Sequence, residues 1–170
     1  MEIALFEPRI PQNTGSIART CAAYNVALNL IEPLGFKLDD KYLKRAGLDY
    51  WHLMKIYNYV DFKKFRTSKI NKRIIAFSKR GNLYLRDFKF KSNDILLFGR
   101  EDTGLPKYIV ENSDELISIY MPNKASEKIP CDGVRSLNLS VACGIALYEA
   151  QKQLNKNIKC SWCFKMILSL

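Results

Sequence analysis

The chain has 170 residues, 48% of them hydrophobic, which is enough for one sizeable core and short for two when domains run to roughly 100–200 residues. Its 27 Lys and Arg against 17 Asp and Glu give a formal charge of +10, which favours a polyanionic partner without choosing among RNA, DNA and an anionic membrane. Five scattered cysteines and a start, M-E-I-A-L-F-E, without a basic region or long apolar core argue against a signal peptide and a disulfide framework, and for a reducing cytoplasm.

Apolar runs at 2–6, 26–31, 54–60, 73–78, 95–98 and 116–121 read as strands, with helical patterns between most of them and after the last. Such alternation predicts an α/β fold with a mostly parallel sheet covered by helices on both faces. Three polar, glycine-containing islands fall where strand-like runs give way to helix-like runs, the place where the loops of an open sheet gather into a ligand crevice.

The first island is N-T-G-S-I-A-R at 13–19. Asn13 or Thr14 is a candidate N-cap for a helix to about residue 25. Ile17, Cys21 and Tyr24 form one apolar stripe, with Gly15, Arg19, Ala22 and Ala23 opposite, so the Arg19 guanidinium emerges from a face of very small residues. Taken alone, the pattern also fits an amphipathic helix with Arg19 in water. The only histidine, His52, follows Tyr50 and Trp51 with no nucleophile motif beside it, and those two aromatics read as packing or as a stacking surface for a base. The lysine-rich stretch 63–73 reads as a solvated helix and turn.

The second island, F-G-R-E-D-T-G-L-P at 98–106, follows the buried run I-L-L-F. Gly99 and Gly104 allow close main-chain approach, but the Lys-Ser/Thr ending of a phosphate loop is missing. The third, R-S-L-N-L-S at 135–140, opens a helix to about residue 154 with two apolar stripes. Leu137, Val141, Ile145 and Tyr148 form one; Cys143, Ala146, Leu147, Ala150 and Leu154 form the other. A helix apolar on two sides needs two surfaces to pack against, the sheet and a second subunit. Cys160 and Cys163 lack the second ligand pair of a structural zinc site, and the apolar tail around them is too short to span a bilayer.

These islands, in this order in so short a chain, resemble the SPOUT superfamily of knotted RNA methyltransferases. Within it, E-P-x-I-P-x-N-T-G at 7–15, R-A-G-L-D-Y-W at 45–51 and L-Y-E-A at 147–150 are similar to the small tRNA (cytidine/uridine(34)-2'-O)-methyltransferases. The resemblance covers residues 1–155 as a single domain and leaves 156–170 as an apolar tail. It implies a deep C-terminal trefoil knot threaded by about 74–148, with loops 78–83, 99–105 and 119–137 around S-adenosylmethionine. Phe77, Gly99, Ile119 and Ser136 are the implied cofactor-binding residues, and Arg19 is implied at the acceptor ribose. Tyr148 is implied to reach the substrate site across a homodimer interface. The implied substrate is the anticodon loop of tRNA, methylated at nucleotide 34 without metal or membrane. Ribosomal RNA as substrate, and a non-catalytic RNA-binding protein of the same fold, are the alternatives. Segment 123–134 is longer than the family's usual connection.

Overall fold

The computed structural model describes residues 1–37, 53, 55–123 and 133–155. Short runs of Ile, Leu, Ala and Phe, too brief for a stable helix and rich in strand formers, become the strands. These are β1 (Glu2–Phe6), β2 (Ala27–Ile31), β3 (Ile56–Tyr59), β4 (Ile74–Phe77), β5 (Leu83–Tyr84), β6 (Ile95–Phe98) and β7 (Glu115–Ser118). All pairings among them are parallel, in the order β3-β2-β1-β6-β4-β7-β5. In the middle, β1 pairs with β2 from Glu2↔Ala27 and with β6 from Glu2↔Ile95.

Side chains alternate across a strand, so each strand feeds both faces. Ile3 and Leu5 join Leu28, Leu30, Ile75 and Leu96 in one core layer, covered by α1 (Pro11–Ala23) and α4 (Leu139–Leu154). Ala4 and Phe6 join Ile31, Ile74, Ile95 and Leu97 in the other, covered by α2 (Phe62–Ser68) and α3 (Lys107–Glu111). The expected parallel sheet with helices on both faces is therefore observed. No helix among the described residues is long and apolar enough to cross a membrane.

Several local expectations need correction. α1 starts at Pro11, with Ile10 in the N-cap position and no side-chain cap, so neither Asn13 nor Thr14 caps it. Proline is suited to the first helical position because its missing N–H would have no partner there. α1 ends at Ala23, which leaves Tyr24 outside the helix and exposed, while Gly15 and Ala18 turn inward beside Ile17 and Cys21. β7 stops at Ser118, placing Ile119 just beyond it. β5, two residues long, escaped the pattern because alternation needs more residues to register. The motif at 45–51, His52, Cys131, Cys160, Cys163 and most of 123–134 lie outside the described residues.

Nor is the lysine-rich stretch wholly solvated. The Lys69 side chain is only 12% exposed, and its Nζ donates to Glu2 Oε2 at 2.7 Å. Lys72 pairs with the other Glu2 oxygen, and Asn29 Nδ2 donates to Glu2 at 2.7 Å. Alongside, Arg73 grips Asp94 through Nε at 2.9 Å and Nη2 at 2.7 Å. These clamps hold the N-terminal ends of the central strands. Burial pushes the Glu2 carboxyl up, but the hydrogen bonds from Lys69, Lys72 and Asn29 outweigh it and hold the group at about 2, below its ordinary 4.5.

A depressed carboxyl stabilises the fold above its unfolded value and loses that contribution as pH falls through 4.5 towards 2. We expect denaturant titrations of Glu2→Gln to show lower stability than wild type at pH 7, with the gap narrowing as pH drops across that window. A constant gap would remove Glu2 from the acid response.

Candidate active site

The first turn of a helix presents backbone N–H groups without intrahelical partners, and in α1 no local side chain takes them. A carboxylate from a distant loop serves the entry to this helix. Glu101 accepts from Arg9 N at 2.8 Å through Oε2, and from Ile10 N at 3.1 Å and Asn13 Nδ2 at 3.1 Å through Oε1. Negative charge at this end also suits the positive pole of the helix.

The turn carrying Glu101 is tightly closed. Arg100 N donates to Gly104 O at 3.2 Å and Gly104 N donates back to Arg100 O at 3.0 Å. Gly104 has φ 72°, a left-handed conformation that glycine adopts without strain. A Cβ on Gly99 would run into the Gly104 carbonyl carbon and the Leu105 nitrogen, so only glycine fits there. Arg100 reaches back to pair with Glu7, beside its cation–π contact with Phe6 at 5.9 Å.

The third island joins through the same asparagine. Asn13 Oδ1 accepts from Asn138 Nδ2 at 3.0 Å. Asn138 is the N-cap of α4, its Oδ1 accepting from Ser140 N at 2.8 Å and Val141 N at 3.4 Å. A continuous chain of hydrogen bonds thus runs from Glu101 through Asn13 and Asn138 to the start of α4, tying three segments far apart in sequence into one locus.

Around this locus lies a cleft of about 570 Å³ at the carboxyl ends of β4, β6 and β7, where ligands bind in open parallel sheets. Phe77 and Phe98 end β4 and β6 and stack with ring centroids 4.5 Å apart and planes at 15°. Ser78, Lys79 and Arg80 follow β4 into the cleft lining, Ile119 and Met121 follow β7, and Ser136 to Leu139 complete it. Ser78 N donates to Ile117 O at 3.0 Å, bringing the loop after β4 against β7.

Phe77, Gly99, Ile119 and Ser136 all line this one cleft. Arg19 and Tyr148 do not. Arg19 is exposed two turns into α1, and Tyr148, 59% exposed, lines a separate groove with Leu85, Arg86 and Ile145. The sequence reading missed the connecting role of three residues: Glu101, Asn138, and Asn13, which was read there as a cap. Their one signal was a pair of adjacent acids, Glu101 and Asp102, between two glycines, with asparagines in both partner islands. Behind the cleft, burial pushes the Cys21 thiol up to about 12 and Cys143 well above the ordinary range, so neither is a thiolate at neutral pH.

Residues 1–148 match the SpoU rRNA methylase family, a span that includes all three islands. The chain belongs to that family. A curated relative from Saccharophagus degradans, a tRNA (cytidine(34)-2'-O)-methyltransferase, is 41% identical over 155 residues, 89% of this chain and 94% of the relative. A solved structure described as giving insights into the 2-OH methylation of C/U34 on tRNA is 42% identical, with a TM-score of 0.84 over 92% of this chain and 97% of that one. The AdoMet-bound rRNA methyltransferase from Sinorhizobium meliloti is 26% identical, with a TM-score of 0.78 over 90% of this SpoU-family chain and 56% of the other.

Removing the Glu101 carboxylate would leave three donors at the entry to α1 unsatisfied, at about 1–3 kcal/mol for each one that stays buried. Glu101→Ala is expected to lower Tm by about 5–10 °C, and Glu101→Gln, which keeps one acceptor oxygen, by roughly half of that. Calorimetry showing Glu101→Ala within 1–2 °C (roughly) of wild type would contradict the capping role.

Proposed function

We propose that this protein transfers a methyl group from S-adenosylmethionine to the ribose 2'-hydroxyl of tRNA nucleotide 34, cytidine or uridine. One observation carries the reading. The cleft built by the three islands gathers Phe77, Gly99, Ile119 and Ser136, in a chain that is 41% identical, over nearly its whole length, to a relative of that activity.

The cleft residues fit the cofactor. Gly104 brings bare main chain to the wall with no side chain in the way, and Gly99 lets the turn behind it close. The stacked Phe77 and Phe98 with Ile119 offer an apolar wall for a ligand whose positive charge disappears in the reaction. When bound, S-adenosylmethionine supplies an electrophilic methyl group on a sulfonium sulfur. Ser136 contributes a hydroxyl at the lip, and Ile119 and Phe77 exclude water.

The acceptor hydroxyl is a poor nucleophile at neutral pH, so it must be oriented in line with the methyl group and its developing negative charge stabilised. Arg19 is assigned to both tasks. Guanidinium groups are poor bases, so Arg19 positions and stabilises the oxygen, and the hydroxyl proton leaves to solvent water as the methyl group is transferred. Arg19 lies outside the cleft of a single chain, which is consistent with a site completed by a second copy. The stripe Val141, Ile145 and Tyr148 on α4 is exposed, while Cys143, Ala146, Leu147 and Ala150 on its other side are buried. We assign that stripe to a homodimer interface, with Tyr148 reaching the partner's substrate. The trefoil knot belongs to the same proposal. It is supported by the sheet order, with β7 between β4 and β5, and by Gly81, whose Cβ would strike the Ile117 backbone.

Transfer of labelled methyl from S-adenosylmethionine to unmodified tRNA, followed by nuclease mapping, tests the activity. Label is expected on the ribose of nucleotide 34. Label on ribosomal RNA instead would move the substrate, and cofactor binding without transfer to either RNA would leave a binding protein. Arg19→Ala is expected to lower kcat about 10²–10³-fold with cofactor affinity retained, the scale for losing one charge-stabilising donor. Full activity in that variant would sink the assignment. Sedimentation at micromolar concentration is expected to give a dimer that Ile145→Asp dissociates; a wild-type monomer would remove the cross-subunit role of Tyr148.

A further inference from the structure

Beyond the cleft, the far edge of the sheet carries an exposed aromatic cluster that core packing does not explain. Tyr84 lies in β5, the edge strand, in register with Ser118 of β7, and Tyr120 follows two residues later. The two rings meet edge to face, centroids 5.6 Å apart and planes at 88°. The Arg86 guanidinium lies over both, 5.7 Å from the Tyr84 centroid and 5.6 Å from that of Tyr120. In the single chain Tyr84 is 39% exposed, Tyr120 55% and the Arg86 side chain 69%, Arg86 also bordering the groove of Ile145 and Tyr148 assigned above to the subunit interface.

We propose that Tyr84, Tyr120 and Arg86 form a stacking platform for an unpaired base of the RNA loop, next to the nucleotide that receives the methyl group. The proposal rests on the RNA-methylating reading above and deepens it. Three observations select this occupant. Exposed tyrosine rings ordered by an arginine present flat π-surfaces and a planar cation, the pair of groups on which splayed bases of single-stranded loops stack. Tyr120 stands between Ile119 and Met121, both of which line the cleft; its own ring is outside that lining and turned to Tyr84, so a base on it would sit outside the cleft, across the segment that walls it. Lys79 and Arg80, on the loop leading from β4 to β5, line the same cleft, and the chain's +10 charge suits a phosphate backbone passing between them.

An edge strand also needs protection from pairing with other chains, and aromatic cover would serve that purpose without any ligand. A protective role would show in stability or self-association; a platform shows in RNA affinity alone. The test uses the full chain and an unmodified anticodon stem-loop RNA, with KM, kcat and cofactor affinity measured for Tyr84→Ala, Tyr120→Ala and Tyr120→Trp. The alanine variants are expected to raise the RNA KM about tenfold, the lower part of the range for a lost base–aromatic stack, with kcat and cofactor affinity within about twofold. Tyr120→Trp, which keeps a stacking face, is expected to stay near wild type.

A second arm uses stem-loops with one loop nucleotide made abasic, titrated directly for binding. One such RNA is expected to bind wild type as weakly as Tyr120→Ala binds the intact RNA, and to bind Tyr120→Ala no more weakly still. Unchanged affinity in both alanine variants, additive losses with every abasic RNA, or a loss that sedimentation traces to subunit dissociation would each overturn the platform. Because this arm reads binding without turnover, it still decides the platform if wild type fails to methylate nucleotide 34. Wobble methylation with unaltered affinity in the variants would instead leave the proposed function standing and remove only the platform.

Discussion

The site depends on where one carboxylate sits. Glu101, on the turn after β6, accepts hydrogen bonds from two backbone N–H groups at the entry to α1 and from the Asn13 amide within its first turn. Asn13 in turn takes a hydrogen bond from the N-cap of α4. Neither helix start is fixed by its own island alone. α1 has no side-chain cap, and the capping Asn138 of α4 is itself oriented by Asn13. Such networks are worth more than isolated pairs because each member restricts the rotamer of the next. The turn between Gly99 and Gly104 can deliver the carboxylate only because bare main chain folds back on itself there.

Polar chemistry is divided between the two ends of an otherwise apolar sheet. At the N-terminal ends of the strands, Glu2 and Asp94 are locked to Lys69, Lys72 and Arg73, which uses charge for structure. The C-terminal ends carry loops whose polar groups are directed at each other and at the cleft. In a chain with ten more cations than acids, several of the acids hold the architecture. Glu2, Glu7, Asp94 and Glu101 each secure a junction between distant segments. Basic side chains also reach the cleft, where Lys79 and Arg80 are part of the lining.

Layered architecture was legible in the sequence because each long strand alternates into two apolar layers, and because α4 carries its two stripes on a clean helical period. The α4 end at Leu154 emerged as read, and so did Cys143, Ala146, Leu147 and Ala150 of its buried stripe, but Leu154, read as part of that stripe, is exposed in the last turn. β5 and α3 were not legible, being too short for any period to register. The α1 start was misread for a different reason. Asn13 has the chemistry of a cap, but its amide is committed to Glu101 and Asn138, contacts that span 88 and 125 residues and leave no local pattern. That Gly99 and Phe77 would meet at one cleft was within reach of motif reading. The wiring between islands was not, since it is a property of tertiary register.

The position of β1 bears on how the protein is made. It precedes the other six described strands in the chain, yet it lies in the middle of the sheet, and one of its two neighbours, β6, is encoded about ninety residues later. At ribosomal rates of about 5–20 residues per second, an apolar I-A-L-F segment waits roughly 5–20 s with one edge unpaired. A lone pairing with β2 buries too little to hold it. The nascent chain therefore depends on shielding of this segment until β6 emerges, and mutations that slow β6 pairing would reduce yield in the cell without weakening the finished fold.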